Sequence, residues 1–234
     1  MSIRYGYLQA RIQARYAELP SESLWLHLGA LKELASFLEE ARSTSLAKWV
    51  AGLSTSSDAR EIEQSLRRHL VETINETASW FDQRWRPAVL WLETLSELST
   101  LDYLRRNDVS PEGKVSGQLL QGVAKLETKN QDLRQAWIEA WRSHWPRESS
   151  QNLRGMESLQ KTLENYSMLF PELSVDEAWK SRQDLELRLR LFFRRHVLQP
   201  AVAIAYLSLV ALCLERLRAE LLQRAVFPER GATS

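Results

Sequence analysis

Apolar residues recur along most of the chain at intervals of three and four, the spacing that lines up side chains on one face of an α-helix. Tyr5, Leu8, Ile12, Tyr16 and Leu19 form the first such stripe, and Pro20 ends it. Ser21 opens a second segment carrying Trp25, Leu28, Leu31, Leu34, Phe37 and Leu38, and a short piece from Leu46 to Val50 stops at Gly52. Asp58, with Glu61 three residues on, has the form of a capping box. Ile62, Leu66, Leu70, Ile74 and Ala78 then follow at four-residue spacing and predict one long amphipathic helix ending near Trp80. Pro87 suits a first helical turn; Val89, Leu90, Trp91, Leu95, Leu98, Leu101 and Leu104 continue from it, with a break expected near Ser99.

The stretch Asn107 to Gly117 (NDVSPEGKVSG) concentrates turn-forming residues and is the expected boundary or long surface loop. It separates an N-terminal helical unit, 1–106, from a C-terminal one, 118–234, which either stand apart or pack as one domain. Helical patterns then run over Leu119 to Leu126, Leu133 to Trp145, Leu153 to Phe170 and Val175 to His196, and a last helix starts at Pro200 and ends before Pro228. No region alternates apolar and polar residues for long enough to predict a strand. The expected fold class is all-α, a multi-helix bundle.

Composition agrees: 8 glycines and 7 prolines in 234 residues leave helix formers to dominate. Thirty-one Lys and Arg face 30 Asp and Glu, so no bulk positive field exists to gather nucleic acid or anionic lipid. The balance holds on either side of Asn107, with 13 basic against 14 acidic residues up to it and 18 against 16 beyond. The one cysteine, Cys213, has no internal partner for a disulfide, and Met1 to Ala10 lacks an apolar run of signal-peptide type. Both features suit a reducing cytoplasm.

Val197 to Leu214 is free of charge for 18 residues, close to the ~20 a transmembrane helix needs. Gln199, Pro200, Tyr206, Ser208 and four alanines argue instead for the buried centre of a helical bundle, since a helix apolar all round belongs in one or the other place.

Candidate chemistry is sparse. His27, His69, His144 and His196 stand far apart without metal-ligand spacing, and neither a glycine-rich phosphate loop nor a Gly-x-Ser-x-Gly elbow occurs. Adjacent carboxylates such as Glu39 and Glu40 diverge on a helix, and Cys213 reads as a core thiol. No catalytic residue, cofactor or metal is expected. Two features suggest partner binding. Trp137, Trp141 and Trp145 lie on one face of one helix and serve either as core or as an apolar docking patch. Lys180 to His196 carries six basic residues, Lys180, Arg182, Arg188, Arg190, Arg194 and Arg195, against Asp184 and Glu186. These either relax against the dipole of their helix or form a contact for an acidic partner.

The ends of the chain carry a resemblance. Tyr5-Gly6-Tyr7-Leu8-Gln9-Ala10-Arg11-Ile12, then Leu34, Phe37-Leu38, Ser43-Thr44, Trp49-Val50 and Ile62-Glu63, together with Pro200-Ala201-Val202-Ala203-Ile204-Ala205-Tyr206-Leu207 and the exit Leu217-Arg218, Arg224, Phe227-Pro228, resemble in order and spacing the C/d family of V/A-type rotary ATPase subunits. The chain resembles a short, divergent member, with Val210, Ala211 and Cys213 where the family carries a Lys-Glu…Glu cluster. The resemblance implies pseudo-repeated helical units, of which Pro87-Ala88-Val89 and Pro200-Ala201-Val202 are a trace. It also implies a non-catalytic coupling protein between the rotary central stalk and the membrane proteolipid ring, peripheral to the membrane through those partners, in proton- or sodium-driven ATP synthesis or hydrolysis. The alternative is a free-standing helical adaptor or oligomer without the ATPase.

Overall fold

The capping box expected at Asp58 forms. The Glu61 amide donates to Asp58 Oδ1 at 2.7 Å and the Asp58 amide to Glu61 Oε2 at 3.3 Å, closing two of the donors that a helix start leaves open. Helix α5, Ala59–Ser79, runs from this cap. The computed structural model describes residues 5–124, 132–147, 150–169 and 175–226. Ahead of α5 lie α1 (Gly6–Ala17), α2 (Glu22–Gly29), α3 (Leu34–Arg42) and α4 (Ala47–Val50). Beyond it come α6 (Arg86–Leu90), a 3-10 segment (Trp91–Glu97), α7 (Leu98–Arg106), α8 (Gly117–Ala124), α9 (Leu133–Ser143), α10 (Ser150–Leu169), α11 (Val175–Arg195) and α12 (Ala201–Val226). The described residues are all-helical and contain no strand.

Two compact units result: Met1–Glu72 with Ser149–Ser234, and Thr73–Glu148. The stretch 107–117, expected as a boundary or a long surface loop, lies inside the second unit. Its residues do make turns, with Asp108 at φ 52° and Gly113 at φ 70°. The turns fold back, however: the Val109 amide donates to the Leu104 carbonyl at 2.9 Å, and Ser116 donates its amide and hydroxyl to Glu97 Oε2 at 2.8 and 2.7 Å. Turn chemistry marks a reversal of direction, which a compact unit contains as readily as it ends.

In the first unit α12 is the centre, and every residue from Ala201 to Leu207 is buried, as are Leu209, Val210, Cys213, Leu214, Leu217 and Leu221. Helices α1, α3, α10 and α11 pack against it. Among the described residues no helix is long and apolar enough to cross a membrane. Each large aliphatic side chain sheathed in this way contributes roughly 1.5–3 kcal/mol. The far half of α12 ties down the N-terminal helices through arginines. Arg216 forks onto Glu22 at 2.7 and 3.1 Å, and Arg218 pairs with Glu63. Arg224 is buried; it donates to the carbonyls of Leu31 at 2.8 Å and Leu28 at 3.4 Å and to Glu220 Oε2 at 2.7 Å, with its guanidinium 4.5 Å from the Phe37 ring centre. It thereby caps the Leu31 carbonyl just beyond α2 and adds a longer contact to the Leu28 carbonyl, which already accepts from the Leu31 amide.

The turn into α12 places Leu198 at φ 61°, and its amide donates to Gln9 Oε1 of α1 at 3.0 Å. Helix α10 comes so near this turn that a Cβ on Gly155 would lie 2.5 Å from Gln199 Oε1.

In the second unit the helix opened by Pro87 breaks earlier than expected. Thr94 donates its hydroxyl to the Trp91 carbonyl at 2.7 Å, and Ser96 donates to that of Glu93 at 3.0 Å. These three-residue back-bonds accompany a 3-10 path over Trp91–Glu97 before α7 resumes. The two Pro-Ala-Val openings therefore lead to different structures, a five-residue α6 and a 26-residue α12. Gly122 of α8 sits over Trp91, where a Cβ would come within 2.2 Å of the indole.

Of the stripe on α5, Ile62, Leu66, Ile74 and Ala78 are buried and Leu70 is half-buried. Ile62→Ala or Leu66→Ala is expected to cost ~2–5 kcal/mol in denaturant unfolding and Leu70→Ala less. Gly122→Ala should lower the melting temperature by displacing the Trp91 ring, whereas Gly117→Ala, which meets nothing within 4 Å, should not; equal melting of the two variants would contradict this packing.

Candidate functional site

Of the three tryptophans expected on one helix, Trp137 and Trp141 lie on α9 and are core, while Trp145 falls just past its end at Ser143. Trp137 and Trp141 are 5% and 2% exposed, and each indole nitrogen is engaged: Trp137 Nε1 donates to Thr94 Oγ1 and Trp141 Nε1 to the Ala88 carbonyl, both at 2.8 Å. Their rings stack at 5.9 Å, Trp145 meets Trp141 edge-on at 5.2 Å, and Trp91 lies 6.2 Å from Trp137 and 5.0 Å from His144. Trp137 and Trp141 thus leave the set of docking candidates, because their apolar faces and polar tips are already covered; Trp145 is half-buried at the end of the same column.

Helix α11 holds the remaining candidates on two different sides. Leu185, Leu189 and Phe193 are buried at four-residue spacing on its inner side. Arg190 belongs with them: its Nε and Nη2 donate to Glu186 Oε1 at 2.9 and 2.7 Å and its Nη1 to the Tyr16 hydroxyl at 3.2 Å. Tyr16 in turn stacks on Phe193 with ring centres 4.2 Å apart. Arg190 therefore fastens α11 to α1 and is not presented to a partner. Arg188 lies outside, paired with Asp184 at 2.7 Å while its side chain stays 63% exposed. Arg194 and Arg195 in the last turn are exposed as well, and none of the described residues forms an ion pair with them.

Between the arginines the outer side carries two leucines, Leu187 at 57% and Leu191 at 41% exposure. The sequence reading missed them, although the signal is present. Leu185, Leu187, Leu189, Leu191 and Phe193 occupy every second position. On a helix, alternate positions point to opposite sides, so a chain that folds this segment as α-helix must leave half of those side chains outside. Strong helix formers between the leucines and the packing of the 185/189/193 side on α12 favour the helix over a strand.

Further along α12, Arg216 is held between the indoles of Trp25 and Trp179, 4.9 and 5.1 Å from the ring centres. The groove beside it, lined by Trp179, Arg182, Gln183, Glu186, Leu212 and Arg216, has a cavity volume of about 20 Å³. That is room for about one water, against the ~300–1,000 Å³ of small-molecule sites. Burial pushes the Cys213 thiol up to about 12, so at neutral pH it is protonated and a poor nucleophile. The histidines are dispersed: His27 bonds Glu40 at 3.2 Å, His69 bonds Glu72 at 3.1 Å, His144 faces Trp91 and His196 stacks on Phe192. Among the described residues no three His, Cys, Asp or Glu side chains are grouped to hold a metal ion.

The candidate that remains is a surface, the exposed basic and apolar face of α11. No family model matches the chain, and no similar protein emerges from comparison with curated proteins or with solved structures.

Trp141→Ala is expected to cost ~3–5 kcal/mol, read as a large loss of melting temperature; unchanged melting would contradict its place in the core. Cys213 should resist thiol reagents in the folded chain and react at once in denaturant.

Proposed function

We propose that this protein is a non-catalytic helical adaptor that holds a partner protein through the outer face of α11. The observation that carries the reading is the exposure of Leu187 and Leu191 among Arg188, Arg194 and Arg195 on a helix whose opposite side is fixed in the core. Leu187 and Leu191 are neighbours on one helix face framed by exposed arginines, the composition of a docking site. The adaptor acts in the cytoplasm and reaches a membrane only through its partners.

The resemblance at the two ends makes the proposal more specific: a coupling protein of the V/A-type rotary ATPase C/d kind, joining the central stalk to the proteolipid ring in proton- or sodium-driven ATP synthesis or hydrolysis. Its support is the order and spacing of residues in α1 and α12, two helices that pack against each other in the first unit. A second reading, a free-standing adaptor that has lost the ATPase, is favoured by one observation: Val210 and Cys213, where that family carries charges, are buried.

Affinity capture from the native host at low salt, followed by mass spectrometry, separates these. Stalk or proteolipid-ring proteins in stoichiometric amount are the outcome expected of the ATPase form, and another protein in their place that of the free-standing adaptor. A chain that emerges alone contradicts both.

A further inference from the structure

The exposed face of α11 also narrows the chemistry of the partner, on the basis of the adaptor reading above. Lys180, Asp184, Leu187, Leu191 and Arg194 follow one another on α11 at intervals of four, three, four and three, the spacing at which one helix seats along another in a coiled coil. Leu187 and Leu191 are the apolar positions of this row and Arg194 closes it; Arg188, paired with Asp184, and Arg195 flank it, and no carboxylate occurs from Leu187 to Arg195. We propose that this face docks an acidic amphipathic helix of a partner protein, whose apolar residues cover Leu187 and Leu191 and whose carboxylates meet Arg188, Arg194 and Arg195.

Charge decides among the possible occupants. Among the residues of α11 whose side chains are described, the exposed face carries four basic ones, Lys180, Arg188, Arg194 and Arg195, against two acidic ones, Glu177 and Asp184. Two copies of this chain set face to face would oppose eight basic side chains to four acidic ones, and the surplus is repulsive. An anionic lipid surface would answer the arginines as well, but lipid has no use for seam spacing. An acidic helix satisfies both the spacing and the charge. The helix-in-groove mode needs only a few apolar anchors at such intervals, with charge around them setting choice of partner and direction.

The test uses the full chain and designed peptides of about three heptads, with leucine at the seam positions and glutamate around them, synthesised in both chain directions. Lysine-for-glutamate versions serve as controls, and binding is read by fluorescence anisotropy. A glutamate peptide should bind, more weakly as salt rises, and the lysine versions should not. The paired variants R194E/R195E and L187S/L191S alter exposed side chains, so melting should be unchanged while binding weakens at least ~tenfold. Equal binding of glutamate and lysine peptides, no binding of either, or full binding by the variants overturns the proposal. So does a wild-type chain that sediments as a dimer broken by L187S/L191S, or that binds phosphatidylserine vesicles through these residues in place of the peptides. Capture of the same host partner by wild type and R194E/R195E alike overturns this docking and leaves an adaptor that holds its partner by another surface. A chain that binds peptide yet captures nothing overturns the adaptor function and leaves the surface.

Discussion

The first unit depends on one constraint: α12 is apolar on all sides over its first half and has to be enclosed by protein. A rod of this kind cannot be shielded by a single neighbour, so α1, α3, α10 and α11 are gathered around it, including helices nearly two hundred residues away in sequence. Where α12 regains charge, the arginines take over the same task. Arg216 and Arg218 reach Glu22 and Glu63 near the surface, where such pairs add little individually. Arg224 is different in kind, because it is buried and closes the end of α2 as well as its own pair with Glu220. Removing it would take the donor from the Leu31 carbonyl and the partner from Glu220, a loss greater than that of a surface pair.

The second unit solves the same problem with aromatic rings. Trp91, Trp137, Trp141 and Trp145 form a column in which a threonine hydroxyl and a backbone carbonyl take up two of the indole N–H groups. Thr94 has two roles there, since its hydroxyl accepts from Trp137 while donating to the Trp91 carbonyl within the 3-10 segment. The irregular backbone and the ring column are therefore coupled through a single side chain.

Much of the helical order was legible in the chain itself. Spacing of three and four located α1, α5, α9 and α11 to within a few residues, because helix faces write themselves directly into sequence, and the Asp58 and Glu61 box is a local signal that needs no tertiary context. What could not be read depended on distant residues: the division between the units, the early break at Trp91, the two-sided engagement of Arg224, and the withdrawal of Arg190 toward Tyr16. The outer leucines of α11 are a third case. Their alternation was visible, yet its meaning appears only once the segment is known to be helical, when a pattern suited to a strand becomes a surface that the fold leaves uncovered. Such disagreement between local pattern and adopted structure is where function tends to reside.

The enclosure of α12 holds α11 in place, and amide hydrogen exchange on the purified chain in detergent-free buffer tests it most directly. Amides from Val202 to Leu214 should be the last in the first unit to exchange, opening only with global unfolding. Exchange there as rapid as in the 107–117 turns would show that α12 is not enclosed, and the account would fail with it.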